Sequence, residues 1–253
     1  MIIMRIEAVL FDFGDTLAHT PPHFETETCI LHFHRSLLKN EVSVSYEDCK
    51  KAYIEVADKL FTRNSLREIT FGFVLSETLN RLGYSLKPTD ETVTEAAEAY
   101  MEPWIQARKI DYYAPSILRR LRNKHKLGIV SNTTYSPAVW KTLERFDLIN
   151  LFDVVITSVD VGWRKPSLKI FKRALQALKM SASETVFVGD ELDHDVEGAQ
   201  NVGMRTVLLN KPSTMETRHK IEPDATICEF KELPRALESL EAKVLGLYTP
   251  MKK

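Results

Sequence analysis

The chain has 253 residues, 44% hydrophobic and 27% charged, with 34 basic against 35 acidic side chains and a formal net charge of -1. That is an ordinary globular balance, sufficient for one large α/β domain or a core with a smaller second domain, and it sets up no overall field to recruit nucleic acid or an anionic membrane. The three cysteines, Cys29, Cys49 and Cys228, are widely spaced with no CxxC pair, which points to reduced thiols and away from a disulfide frame or a zinc site.

At the N-terminus the apolar residues are interrupted by Arg5 and Glu7, so the stretch does not read as a signal peptide. No later apolar run approaches membrane-spanning length, and the expectation is a soluble, cytoplasmic protein. Ala8 to Phe11 form a continuous apolar run that ends at Asp12 and then at the turn Gly14-Asp15-Thr16. Such a run predicts a strand buried on both faces, the habit of a central parallel strand.

From about Ala18 to Lys109 the apolar residues recur at helical spacing. Ile30, Leu31, Phe33, Leu37 and Leu38 mark a first helix. Ser45 with Asp48 starts a second, carrying Ala52, Val56, Leu60 and Phe61. Ile69 to Leu82 make a third, closed by Gly83, and Thr89 opens a fourth that runs towards Trp104. Four successive amphipathic helices predict a small bundle.

From Tyr112 onward helices and apolar strands alternate. Helices at Pro115–Lys124, Pro137–Phe146, Leu168–Leu178 and Asp195–Asn201 lead to strands at Lys126–Asn132, Val154–Thr157, Thr185–Asp190 and Arg205–Leu209, with a last short strand at Ala225–Cys228. Leu233, Leu237, Leu240, Val244 and Leu247 fall on one face of a closing helix. This alternation predicts a Rossmann-like parallel sheet covered by helices on both faces. Residues 1–17 and 110–253 would form the α/β core, and 18–109 an inserted, all-helical cap.

Polar residues stand at the C-terminal ends of the strands: Asp12, Ser131 and Asp190, with Lys165 beyond the Val154 strand. Ligands of open α/β sheets bind beyond those ends. Asp12 is suited to be a nucleophile or a metal ligand. With Asp190 and Asp195 it makes three carboxylates that would repel unless a hard cation joined them, and an oxygen-only set selects Mg²⁺. Ser131 offers a hydroxyl with neighbouring backbone N–H groups, and Lys165 a compact positive charge, together suited to phosphate. Taken singly, Ser131-Asn132 also reads as a helix cap, Lys165 as a solvated loop lysine and Asp195 as a helix-start acid.

The arrangement resembles the haloacid dehalogenase superfamily of hydrolases, in the members whose helical cap follows the first strand. The resemblance rests on Phe11-Asp12-Phe13-Gly14-Asp15-Thr16-Leu17, on Ile129-Val130-Ser131-Asn132, on Val161-Gly162-Trp163-Arg164-Lys165-Pro166, and on Val188-Gly189-Asp190 through Asp195 with Gly198-Ala199. It implies a phosphatase of small phosphorylated metabolites in which Asp12 attacks phosphorus and forms an aspartyl-phosphate. Asp12, the Gly14 carbonyl and Asp190 would hold Mg²⁺ with help from Asp195. Ser131, Asn132 and Lys165 would bind the phosphoryl oxygens.

One position departs from the pattern. The family's phosphatases carry a second aspartate two places after the nucleophile, which protonates the leaving oxygen and then activates water. Here Gly14 occupies that place and Asp15 follows it, so Asp15 is the candidate substitute. A dehalogenase and a non-catalytic phosphometabolite-binding protein are the alternative readings. The dehalogenases also lack the second aspartate, but they do not keep an acidic pair such as Asp190 and Asp195. His19, just past the first strand, is a possible substrate contact. His32 and His34 are two apart on a helix and face different ways. Trp104 and Trp163 line the cleft or pack.

Overall fold

A computed structural model of the chain describes residues 5–62, 65–210 and 221–244. Two compact units emerge. One comprises residues 1–19, 110–132 and 143–253, the other residues 20–109 and 133–142.

In the first unit six parallel strands form one sheet. They are β1 (Ala8–Phe11), β4 (Lys126–Ser131), β5 (Val154–Thr157), β6 (Thr185–Gly189), β7 (Arg205–Leu209) and β8 (Ala225–Ile227), in the order β5-β4-β1-β6-β7-β8. The apolar run that opens the chain is thus paired on both sides, with Phe11 level with Ile129 of β4 and with Val188 of β6. All four residues of β1 are fully buried. The two-residue strands β2 (Ala18–His19) and β3 (Lys109–Ile110) pair with each other where the chain leaves and re-enters this unit.

Helices α5 (Ala114–Arg122), α8 (Leu168–Leu178) and α10 (Leu233–Val244) belong to the same unit, with shorter turns α7 (Ser158–Val161) and α9 (Glu197–Gln200). On one face of the sheet Ile170, Phe171 and Ala174 of α8 pack with Leu10, Val130 and Phe187, and the Phe171 and Phe187 rings meet edge to face at 5.2 Å. Each of the larger side chains here contributes about 1.5–3 kcal/mol by leaving water, and Ala174 less. Of the residues assigned to the closing helix, Leu247 and the Val244 side chain lie outside those described.

The second unit holds α1 (Thr26–Lys39), α2 (Tyr46–Phe61), α3 (Phe71–Arg81) and α4 (Glu91–Ala107), with α1 packed along α4 and α2 along α3. The Ser45 hydroxyl caps α2 by accepting from the Asp48 N–H at 3.1 Å, and Gly83 follows α3 with φ 92°. Its core joins Phe33, Leu37, Tyr53, Phe71, Val74 and Tyr100.

Two details differ from the sequence reading. Residues 133–142, placed with the α/β core by linear order, group with the helices. There the Phe71 N–H donates to the Thr134 carbonyl at 2.8 Å and the Tyr135 ring packs edge-on to Phe71. The helix expected from Asp195 begins instead with a single π-type turn, Leu192–Val196, which runs into α9. Such wide turns accompany functional sites, and here the reason is local: the Asp195 side chain turns back onto the chain before it.

Candidate active site

The register brings the expected polar groups to one edge of the sheet. Asp12 directly follows β1 and its N–H donates to the Val188 carbonyl at 2.9 Å. Ser131 is the last residue of β4, level with Thr157 of β5, and Asp190 directly follows β6. Lys165 lies in the loop between α7 and α8, where its peptide bond to Pro166 is cis. All four belong to the first unit.

Lys165 is 2% exposed, and its ammonium group donates to Oδ1 of Asp12 and, at 2.7 Å, to Oδ1 of Asp195. The other oxygen of Asp195 accepts from the backbone N–H groups of Asp190 and Glu191, both at 3.1 Å. Both oxygens of this fully buried carboxylate are therefore engaged. The π-type turn is what aims it: a residue five places after Asp190 reaches back to cap the strand end. Gly189 allows that approach, since a Cβ there would lie 2.3 Å from Oδ2 of Asp195. Gly189→Ala should accordingly destabilise the fold by about 1–3 kcal/mol, the usual scale of forced overpacking, as read by chemical denaturation.

One carboxylate oxygen each of Asp12, Asp190 and Asp195 lie within 4.8 Å of one another. A single lysine cannot neutralise three such groups. Burial pushes the Asp12 carboxyl up to about 7, with Lys165 opposing and Asp195 and Asp190 adding to the rise. Burial and the neighbouring Asp195 charge likewise raise Asp190 to about 6. Burial alone would lower Lys165, but Asp12 and Asp195 hold its ammonium well above the ordinary lysine value. The pocket therefore has unmet negative charge and an all-oxygen donor set, which fits a small hard cation.

Thr16, to which the sequence reading gave no role, donates its hydroxyl to Oδ1 of Asp190 at 2.9 Å and is fully buried. The only sequence signal for it is its place in the turn after Asp12. Glu191 and His194 form a further pair at 2.6 Å. The hydrogen bond between them lowers the Glu191 carboxyl and raises the His194 imidazole.

Asp15 is exposed and takes the left-handed backbone angle, φ 55°, while its N–H donates to the Ala18 carbonyl at 2.8 Å. Its charge is felt at Asp190, where it adds to the rise of that carboxyl. Asn132 turns its side-chain amide to the backbone of Lys165. The remaining candidates are half-buried or already engaged. His19 is half-buried in β2. His34 shares a hydrogen bond with the Val44 carbonyl at 2.9 Å. The Trp104 ring lies 4.4 Å from the Arg108 guanidinium, and the Trp163 ring 3.5 Å from the Lys169 ammonium. No helix among the described residues is long and apolar enough to cross a membrane.

Comparison with known proteins agrees with this fold. Residues 9–209 match the model of the haloacid dehalogenase-like hydrolase family. A glyceraldehyde 3-phosphate phosphatase of Pyrococcus furiosus is 28% identical over 240 residues, covering 94% of each chain. One of Methanopyrus kandleri is 30% identical over 234 residues, covering 90% of this chain and 95% of the relative. The crystal structure of a 2-haloacid dehalogenase from Pseudomonas syringae pv. Tomato superposes with a TM-score of 0.69 at 26% identity, covering 93% of this chain and 99% of that one. The matched stretch begins within β1, ends with β7 and encloses every strand-end group described above; the chain belongs to the haloacid dehalogenase-like hydrolases.

Proposed function

We propose that the chain is a Mg²⁺-dependent phosphatase of small phosphorylated metabolites, with phosphorylated sugars and aldehydes of triose size the first class to test. The observation that carries this reading is the Lys165 ammonium held between Asp12 and Asp195 with Asp190 alongside. Two whole-length relatives named as phosphatases of a triose phosphate support the substrate class.

In this reading a carboxylate oxygen of Asp12 forms a bond to phosphorus. The bond from phosphorus to the leaving oxygen breaks, and the electron pair stays on that oxygen, which takes up a proton. Water then attacks phosphorus and passes a proton to a base, the bond from phosphorus to the Asp12 oxygen breaks with its electron pair staying on that oxygen, and inorganic phosphate leaves with the Asp12 carboxylate restored. The Lys165 ammonium, beside Asp12, and the Ser131 hydroxyl, at the end of β4, hold the phosphoryl oxygens, and Asn132 follows Ser131. Asp15, exposed and one residue along from the vacant acid/base position, is the candidate for the proton transfers but serves them less well than an aspartate at position 14 would, and good leaving groups need them least. Asp12, Asp190 and the Gly14 carbonyl would hold Mg²⁺, and Asp195, whose oxygens bond the protein itself, assists by fixing Lys165 and the Asp190 backbone. The chemistry a bound Mg²⁺ supplies is neutralisation of charge on the phosphoryl group, the main demand of phosphoryl transfer.

The test is hydrolysis of p-nitrophenyl phosphate with Mg²⁺ and with EDTA, beside halide release from a 2-haloacid. Turnover that needs Mg²⁺ and no halide release is expected. Halide release without metal would overturn the reading in favour of a dehalogenase, and tight phosphate-ester binding with no turnover would favour a non-catalytic binder.

The raised carboxyls give a second, activity-free test. Asp12 and Asp190, held at about 7 and about 6 against an ordinary 3.8, keep protons in the cation-free fold that the unfolded chain has already released. Their stabilising contribution is fully present below the ordinary value and fades as pH rises through about 6 to 7. A cation needs those same groups ionised, so its affinity rises over that window. The Mg²⁺-induced gain in Tm should therefore be larger at pH 8 than at pH 5.5; an equal gain at both would place the cation elsewhere.

A further inference from the structure

We propose that Asn132 is a positioning residue that pins the backbone of Lys165, and not a direct contact of the phosphoryl group. Its Oδ1 accepts from the Lys165 N–H at 2.8 Å and its Nδ2 donates to the Lys165 carbonyl at 3.3 Å. A primary amide has one acceptor and one donor side, and here both meet the same residue, much as a neighbouring strand would pair with it. The two residues are 33 positions apart, so this is a tertiary clamp and no helix cap.

Lys165 needs such a clamp for a physical reason. It lies outside regular structure, between α7 and α8, where no strand or helix ladder fixes its backbone. Its charge rides on a flexible four-carbon stem, a point charge with little geometric preference of its own. The ammonium can stay between Asp12 and Asp195 only if the origin of that stem is fixed. Asn132 fixes it from the end of β4, itself paired with β1 in register from Ala8↔Lys126 to Phe11↔Ile129. From another side Gly198 of α9 backs the loop closely, since a Cβ there would lie 3.0 Å from Pro166 Cα. The dipeptide Ser131-Asn132 thereby does two jobs from one strand end: it presents a hydroxyl and it sets where the lysine charge sits.

The proposal rests on the reading of Lys165 as a phosphoryl ligand, and a double-mutant comparison separates the two. Asn132→Ala, Lys165→Met and the double variant would be assayed for kcat and KM on p-nitrophenyl phosphate, and for binding of inorganic phosphate with Mg²⁺ present. Asn132→Ala should lower kcat/KM by about 10–100-fold, the scale on which residues orienting a site ligand act. In the Lys165→Met background the same change should cost less than about twofold, because two residues acting through one charge are not additive. Phosphate binding should show the same loss in one background and not in the other. Equal fold losses in both backgrounds would overturn the proposal, since they would mean that Asn132 touches the phosphoryl group itself or acts only on the fold. Lys165→Met with unchanged kcat/KM would instead sink the functional reading. Should Asn132→Ala not fold, Asn132→Asp carries the same comparison: it keeps the acceptor for the Lys165 N–H, loses the donor to the carbonyl, and should fall between wild type and Ala. A Tm measured for each variant distinguishes loss of fold from loss of positioning.

Discussion

Asp12→Asn is expected to abolish phosphate-ester turnover, by about 10⁴-fold or more, while leaving the fold intact or more stable. The loss corresponds to about 5 kcal/mol of transition-state stabilisation, because an amide oxygen has neither the charge nor the basicity to attack phosphorus. Stability should move the other way. Asp12 is buried beside Asp195 and Asp190, and both carboxylates push against its ionised form. An amide of the same volume still accepts from the Lys165 ammonium without adding a third charge. Thermal unfolding in EDTA should therefore give a Tm equal to or above that of the wild type. Turnover within tenfold of wild type would mean that another group attacks.

The exchange Gly14→Asp with Asp15→Gly should raise kcat/KM for alkyl phosphates by about 10²-fold or more, the range in which a positioned acid/base group acts. It should change aryl phosphates much less, since their leaving oxygens need little protonation. The backbone angles favour the exchange. The left-handed angle falls on Asp15, φ 55°, and the glycines with positive φ among the described residues are Gly83, Gly162 and Gly203. Glycine at position 15 would relieve strain that aspartate tolerates only better than most residues do, and aspartate at position 14 would need no unusual angle. An unchanged rate on alkyl phosphates would show that Asp15 already transfers the proton from where it stands.

Much of the architecture was legible because it is set by local pattern. Apolar runs of four to six residues ending at a polar group, separated by helical spacing, specify parallel strands and crossovers. Once β1 is central, Asp12, Ser131 and Asp190 must share one edge of the sheet. The four-helix insertion was legible for the same reason, through spacing and caps such as Ser45 and Gly83. The site's chemistry was only half legible. Residue types identified three carboxylates, a hydroxyl and a lysine, but not which of them pair.

By itself the sequence determined the strands, the end of the sheet at which the polar groups gather, the kinds of charge collected there and the glycine at position 14. The tertiary structure alone decided the partners. Lys165 meets Asp12 across 153 residues and Thr16 meets Asp190 across 174, and no periodicity carries information over such a span. It also decided that Asp195 spends its oxygens on the protein's own N–H groups and lysine, that Asn132 faces the Lys165 backbone, and that residues 133–142 join the helices. The physical reason is common to all of these. Hydrophobic period is a property of neighbouring residues, whereas a buried polar group takes whichever partner the packed register brings within about 3 Å.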